Sequence, residues 1–361
     1  LPVYSMTMHD GIVEQSERFK KAIASKDLSS YKVVRKNQLV VGFPIDEGVL
    51  YVQNHDRMGI MSPAYSVWDF DIEKILPAYL ELALHSPQSM AYYAAKMRGT
   101  TARRRTLTAE NLCALEIPLP TVERQREISA IFERMKVSMS INVLELEKLD
   151  ALVKSRFIEL FGDPENTIYR VGTVEDIADV TVGVVIKPKR YYTEDSLNGV
   201  KAFRSLNVGE MHVKDSDWVY FTREGNQECS KSMLKEGDVL IVRSGYPGTS
   251  CVVPIEFEGC NAVDLIIARP DKSQITPGYL AAFNNGNYVK SLVARQSVGS
   301  AQKHFNVGFF KKMKLPIPPI EVQMEFIDFM RQVDKSKSIA RKQIDKLQLL
   351  YDSLAQEYFG D

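Results

Sequence analysis

The sequence predicts an α+β protein: two mixed α/β domains joined by two long antiparallel coiled-coil helices, arranged as a pseudo-twofold internal repeat. Three observations lead there. One long segment recurs at a constant offset. Each copy ends in a stretch whose apolar residues step by three and four, the seam spacing of a coiled coil. Each such stretch follows short β-type runs punctuated by Gly and Pro.

The repeat comes first, since a missed repeat misassigns a whole fold. Ile117-Pro-Leu-Pro-Thr-Val-Glu-Arg-Gln125 matches Leu315-Pro-Ile-Pro-Pro-Ile-Glu-Val-Gln323, and the register carries without a gap to Phe161-Gly162-Asp163 and Phe359-Gly360-Asp361. Upstream, Pro77-Ala-Tyr79-Leu80 matches Pro277-Gly-Tyr279-Leu280, Gly48 matches Gly248, and Gly99 matches Gly299. The expected organisation is a first domain over 1–117, a first long helix over 118–163, a second domain over 164–316 and a second long helix over 317–361. Residues 164 to about 200 have no counterpart in the first copy, and the chain lacks an initiator Met. The first domain is therefore expected to be N-terminally incomplete relative to the second.

The helical stretches follow from their apolar steps. The first carries Ile128, Ile131, Met135, Met139, Val143, Leu146, Leu149, Val153, Phe157 and Leu160; the second carries Phe326, Phe329, Met330, Val333, Ile344, Leu347, Leu350, Tyr351, Leu354 and Tyr358. Its middle, around Asp334–Gln343, is mostly polar, so the seam is expected to be weakest there. Pro120 and Pro319 suit a helix entrance, Glu123 and Glu321 favour its positive end, and Gly162 and Gly360 punctuate the far ends. About 38 residues at 1.5 Å each make a rod of roughly 57 Å. A lone amphipathic rod cannot bury its stripe; the second copy supplies the partner.

In the domains, Asp238–Arg243, Cys251–Val253 and Asp264–Ala268 read as strands, with equivalents at Gln38–Val41 and Ala64–Trp68. One helix is predicted over Gly278–Gln296 and one over Ala78–Met97.

Chemistry is harder to find. Cys113, Cys229, Cys251 and Cys260 show neither CxxC pairing nor a nearby His at zinc spacing, the pattern of free thiols in a reducing cytosol. The five histidines are scattered, Gly245-x-x-Gly248 is too short for a dinucleotide or Walker loop, and no G-x-S-x-G elbow occurs. No Asn/Asp-Pro-Pro-aromatic motif for methyl transfer is present. The Pro270-Asp271 pair lacks a following metal-binding acid, since no Asp or Glu occurs from Lys272 to Ile320. No apolar run approaches the roughly 18 residues of a membrane span, and the first residues form no secretory signal. The chain reads as a non-catalytic cytoplasmic protein without metal or cofactor.

Charge gives a mixed signal. Lys plus Arg number 46 and Asp plus Glu 46, net zero, which alone argues against a nucleic-acid binder. Yet the basic residues cluster. The acid-free window contains seven, and the matching part of the first copy has Lys96, Arg98, Arg103, Arg104 and Arg105 within ten residues. A third cluster is Lys187-Pro-Lys189-Arg190. The same region is basic in both copies beside the Gly99 and Gly299 turns, as phosphate contact requires. A duplicated coiled-coil scaffold without DNA contact is the alternative that the neutral balance supports.

At this point the residues resemble a known family, the specificity subunits of Type I restriction–modification systems. The resemblance rests on the two Ile/Leu-Pro-x-Pro…Glu-x-Gln segments, the long helix with its Phe-Gly end, Arg243-Ser-Gly-Tyr-Pro-Gly248, and Gly299-Ser-Ala-Gln-Lys-His-Phe305. The first copy departs from it, with Val41-Gly-Phe-Pro-Ile45 in place of Arg-Ser-Gly and Arg103–Arg105 in place of the Gln-bearing turn. The resemblance implies two target recognition domains reading a bipartite, asymmetric double-stranded DNA sequence. It implies paired helices that fix the spacing, two methyltransferase subunits that bind SAM, and restriction subunits that cleave. To the basic clusters it adds Arg243, Ser244, Tyr246, Ser300, Gln302, Lys303 and His304 as candidate DNA-contacting residues. To Ile128, Ile131, Met135, Leu146, Leu149, Val153, Phe329, Val333, Ile344, Leu347 and Leu354 it gives the coiled-coil and partner role.

Overall fold

The computed structural model describes residues 1–8, 10–18, 27–99, 101, 105–296 and 305–360. The chain divides into two compact units: Leu1–Glu145 with Ile339–Asp361, and Leu146–Ser338. Both mix helix and sheet, so the α+β class holds. Two 40-residue helices, Val122–Phe161 and Ile320–Phe359, each give one part to each unit.

In the second unit the central strand is Val239–Val242, flanked antiparallel by Ser250–Val252 and Leu265–Pro270; Ala178–Val182 extends the sheet beyond the latter. Its four residues are all buried because both faces are covered. Val239 and Ile241 face a core shared with the helices Pro277–Asn285 and Ile320–Phe359, while Leu240 and Val242 face Phe203, Leu234 and Phe257. That is why this strand reads as an unbroken apolar run. A second sheet, Tyr192–Thr193, Val219–Phe221, Val200–Phe203 and Asn261–Ala262, lies in the same unit. Lys314–Ile317, which carries Pro316, pairs with Arg170–Thr173 in a two-stranded sheet. Pro lacks an N–H and is tolerated at such an edge.

In the first unit Leu39–Val41 is central, between Leu50–Val52 and Ser66–Trp68. Leu39 pairs with Val52 and Trp68, as Val239 pairs with Val252 and Ala268; Val41 pairs with Leu50 and Ser66, as Ile241 pairs with Ser250 and Ile266. Each pairing differs from its counterpart by 200 on both sides.

The single helices predicted over 78–97 and 278–296 are each two: Pro77–Leu84 and Pro87–Lys96, then Pro277–Asn285 and Asn287–Gln296. Pro87 forces the preceding Ser86 into extended backbone, and Ser86 caps the new helix by accepting the Ser89 N–H. Gly286 makes the same break in extended conformation.

Each long helix is tied to its domain by one glutamine. Gln125, fully buried, accepts the Leu76 N–H at 2.8 Å and donates to the carbonyls of Lys74 and Pro120. Gln323, also fully buried, accepts the Thr276 N–H at 2.7 Å and donates to Gln274 and Pro318. The hydroxyls of Tyr79 and Tyr279 donate to Pro118 and Pro316. The Glu-x-Gln motif shared by the two segments is thus a buried helix clamp.

The two long helices run antiparallel within each unit. In the first, Phe132 stacks edge-on to Tyr351 at 4.8 Å and Arg124 lies over Tyr358. In the second, Phe157 meets Phe326 at 5.3 Å, and Arg156 pairs with Glu325 and Lys337 with Asp150. Ile128, Met135 and Val333 are buried; Ile131, Leu347, Leu354, Val153 and Phe329 pack against the cores, and Leu146, Leu149 and Ile344 are half-buried. Two details differ from the sequence expectation. Phe132, absent from the expected seam, is buried beside Ile128, and Asn142, not the exposed Val143, is buried at the helix middle. At the equivalent middle of the second helix Ala340 is buried and Ile339 is exposed.

Candidate nucleic-acid interface

Two basic or polar loops of the second unit lie at the end of its central strand, where Phe305 joins them. The first is Arg243–Thr249, closed by Val242 N–H to Thr249 O at 2.8 Å. Gly245 and Gly248 both hold φ near +90°, a conformation that L side chains resist. Tyr246 stands at its tip, 85% exposed; Ser244 is half-buried.

The second loop leaves strand Ala178–Val182 and bears Val185, Ile186, Lys187 and Lys189, all exposed. Lys187 takes a left-handed φ of 46°. Arg190 is exposed but engaged, over the Tyr191 ring and 4.0 Å from Glu228. Val184 joins this loop to the sheet through a parallel bridge to Val263.

Phe305, which precedes helix Val307–Lys311, donates its N–H to Arg243 O at 2.8 Å. Ser300, Gln302, Lys303 and His304 lie outside the described residues. Arg243 itself is mostly buried and pairs with Asp264 at 2.6 Å.

The first unit builds the corresponding place differently. Gly42 N–H to Val49 O closes the loop after its central strand at 2.8 Å, the bond found in the other unit between Val242 and Thr249. That loop meets the segment before helix Ala109–Cys113 through Ile45 N–H to Arg105 O at 2.9 Å. Arg98 and Thr106 pair across the base of this segment, with Gly99 at φ 87°. Lys96 and Arg98 are exposed. Arg103 and Arg104 lie outside the described residues. Arg105 is two-thirds or more covered and bonds both Asp46 and Glu47; those carboxylates hold its guanidinium pKa above the ordinary value.

The loops are thus legible in the sequence, but the acids that hold their arginines are not. Asp264, 21 residues from Arg243, and Asp46 and Glu47, 59 and 58 from Arg105, share no motif with them. A signal existed only for Asp46 and Glu47, which occupy the loop that replaces Arg-Ser-Gly. Among the described residues no group of three His, Cys, Asp or Glu side chains is placed to hold a metal ion, and no helix is long and apolar enough to cross a membrane.

Residues 169–349, half of the chain, match the family profile of the Type I restriction modification DNA specificity domain. The sequence is 21% identical over 257 residues to the Type I restriction enzyme MjaVIII specificity subunit of Methanocaldococcus jannaschii, covering 65% of this chain and 59% of that protein. This chain thus spans about three fifths of that relative's length. The fold is similar to a chain in a structure concerned with complex assembly and conformational transition of the type I R-M system, with TM-score 0.65 and 19% identity over 92% of this chain and 84% of that one. It is also similar to the Type-I restriction-modification system S subunit from M. genitalium, with TM-score 0.54 and 14% identity over 91% and 84%. At these identities the structural likeness concerns fold alone.

Proposed function

The chain belongs to the Type I restriction modification DNA specificity domain family, and from that premise we propose that it is a non-catalytic subunit that reads a two-part double-stranded DNA sequence. Each unit reads one part with the loops at the end of its central strand. The observation that carries this reading is that, in both units, the loop after the central strand is hydrogen-bonded to a residue shortly before the last short helix, Arg105 in the first and Phe305 in the second. The matched strand registers and glutamine clamps support two copies of one recognition domain. Lys96, Arg98, Lys187 and Lys189 neutralise phosphates, and Tyr246 together with Ser300, Gln302, Lys303 and His304 supplies contacts near base edges.

The paired helices set the spacing between the two parts. They also offer Val137, Ile141 and Leu144, exposed on one side of the first helix, to partner subunits. Two methyltransferase subunits, which bind SAM, and restriction subunits dock on this chain and supply the chemistry. Net charge of zero accords with a subunit whose partners share the phosphate neutralisation.

The test is methylome sequencing of cells expressing this chain with its methyltransferase partner. A methylated two-part motif is expected, with a spacer that changes when one matched heptad is deleted from each helix. Methylation without any motif overturns the recognition role, and an unchanged spacer overturns the spacing role.

A further inference from the structure

Apart from Arg190, which is exposed but engaged with Tyr191 and Glu228, the described basic residues at the two loop sites fall into two classes. Lys96, Arg98, Lys187 and Lys189 are exposed. Arg105 and Arg243 are not free in this sense: their side chains are 22% and 12% exposed, and each is already bound to carboxylate.

Arg243 sits where three segments meet. Its Nη1 donates to Asp264 Oδ1 at 2.6 Å, its Nε reaches Phe305 O at 3.5 Å, and its carbonyl accepts the Phe305 N–H at 2.8 Å. Asp264 adopts a left-handed φ of 51° and donates its N–H to Val184 O. The ion pair fastens the first residue of the Tyr246 loop to Asp264, and hydrogen bonds from these two residues reach Val184, at the start of the Lys187 loop, and Phe305. In the first unit the pair joins different segments. There the arginine lies on the late segment, and the acids, Asp46 and Glu47, lie on the loop after the central strand. Again a backbone bond, Ile45 to Arg105, accompanies the pair. In both units an arginine–carboxylate pair thus anchors the loop after the central strand.

A carboxylate near DNA repels phosphate, and an arginine spent on that carboxylate gains little by turning to phosphate. We infer that Arg243–Asp264 and Arg105–Asp46/Glu47 are latches that position the reading loops, and that these arginines are positioning residues, not DNA contacts. The inference rests on the DNA-recognition reading above.

The sign of one substitution separates the two roles. If Arg243 bound phosphate, Asp264→Asn would release it and tighten binding. If the pair is a latch, Asp264→Asn and Arg243→Ala damage the same thing. Asn tolerates the left-handed backbone at 264 as well as Asp does, so the fold is spared.

The experiment is selection from a duplex DNA library with a randomised interior, using the full chain co-purified with its methyltransferase partners, and salt titration on the unselected library. Expected for Asp264→Asn, for Arg243→Ala and for both together is one degraded half of the selected sequence. Discrimination there falls by about tenfold or more, the double variant is no worse than either single one, and the slope of log affinity against log salt is unchanged. Arg243→Lys restores part of the discrimination. A slope lowered by about 0.9 in Arg243→Ala, or tighter binding by Asp264→Asn, overturns the latch. So does an intact selected sequence in both single variants. No enrichment by the unaltered chain overturns the DNA-recognition reading itself.

Discussion

Phe161 stands edge-on to Tyr279 in the second unit, with ring centroids 4.7 Å apart, and Phe359 meets Tyr79 at 5.4 Å in the first. All four rings are essentially fully buried. The Phe that ends one long helix thus seals the domain next to the start of the other. Phe161→Ala is expected to cost roughly 3–5 kcal/mol. Hydrogen exchange should show the loss concentrated in Pro277–Asn285 and the start of Ile320–Phe359. Uniform deprotection of both units would contradict the separate closure of each core.

Gln323→Leu should destabilise the second unit, because it leaves the Thr276 N–H and the Gln274 and Pro318 carbonyls without their buried partner, at about 1–3 kcal/mol for each group. Gln323→Glu should be worse at neutral pH, since a carboxylate faces two carbonyls and donates to neither. Its deficit should shrink on acidification. Burial holds the new carboxyl's pKa above its unfolded value, so the folded state takes up a proton first and stability rises as pH falls through that range. Urea denaturation at several pH values measures both effects, and the same series at Gln125 should act on the first unit.

Exposed lysines should behave as phosphate contacts. Lys187→Asn, which keeps the left-handed backbone acceptable, and Lys189→Gln should each lower the salt dependence of DNA binding by about 0.9. Affinity should fall evenly across sequences. Fluorescence anisotropy over a salt series would detect this, and slopes identical to the unaltered protein would remove these residues from the interface.

The cysteines should differ sharply in reactivity. Cys113 is exposed, while burial pushes the Cys251 thiol up to about 12 and the Cys260 thiol up to about 11. Alkylation of the native protein at mild pH should label Cys113 quickly and leave Cys251 and Cys260 intact. The unfolded chain releases these two protons nearer the ordinary value of 9.0. Stability contributed by the neutral thiols is therefore complete below that value and is lost as pH climbs towards 11 and 12. Fast labelling of Cys251 without unfolding would contradict its place in the sheet core.

How far the sequence could be read depended on the range of each interaction. The three-and-four steps locate the long helices because that spacing is local. They do not decide between neighbours: Ile131 and Phe132 both fit, as do Asn142 and Val143, and only packing buries Phe132 and Asn142. The match to the second copy predicts one helix over 78–97, and a single Pro divides it. At the candidate interface the basic clusters were visible, but their partners were not. Asp264 comes beside Arg243 only because the strands Val239–Val242 and Leu265–Pro270 pair. Charge counted along the chain cannot separate an arginine held by acid from one that is free.

The division of the chain has a consequence for synthesis. The second unit is one uninterrupted stretch, whereas the first needs residues 339–361 from far downstream, among them Ala355 and Phe359, which lie in its core with Phe132. Domains ordinarily mature in the order in which they leave the ribosome. Here the order is inverted. The later-made half consists of one continuous stretch, while the core of the earlier one is completed only when the end of the second long helix has been made.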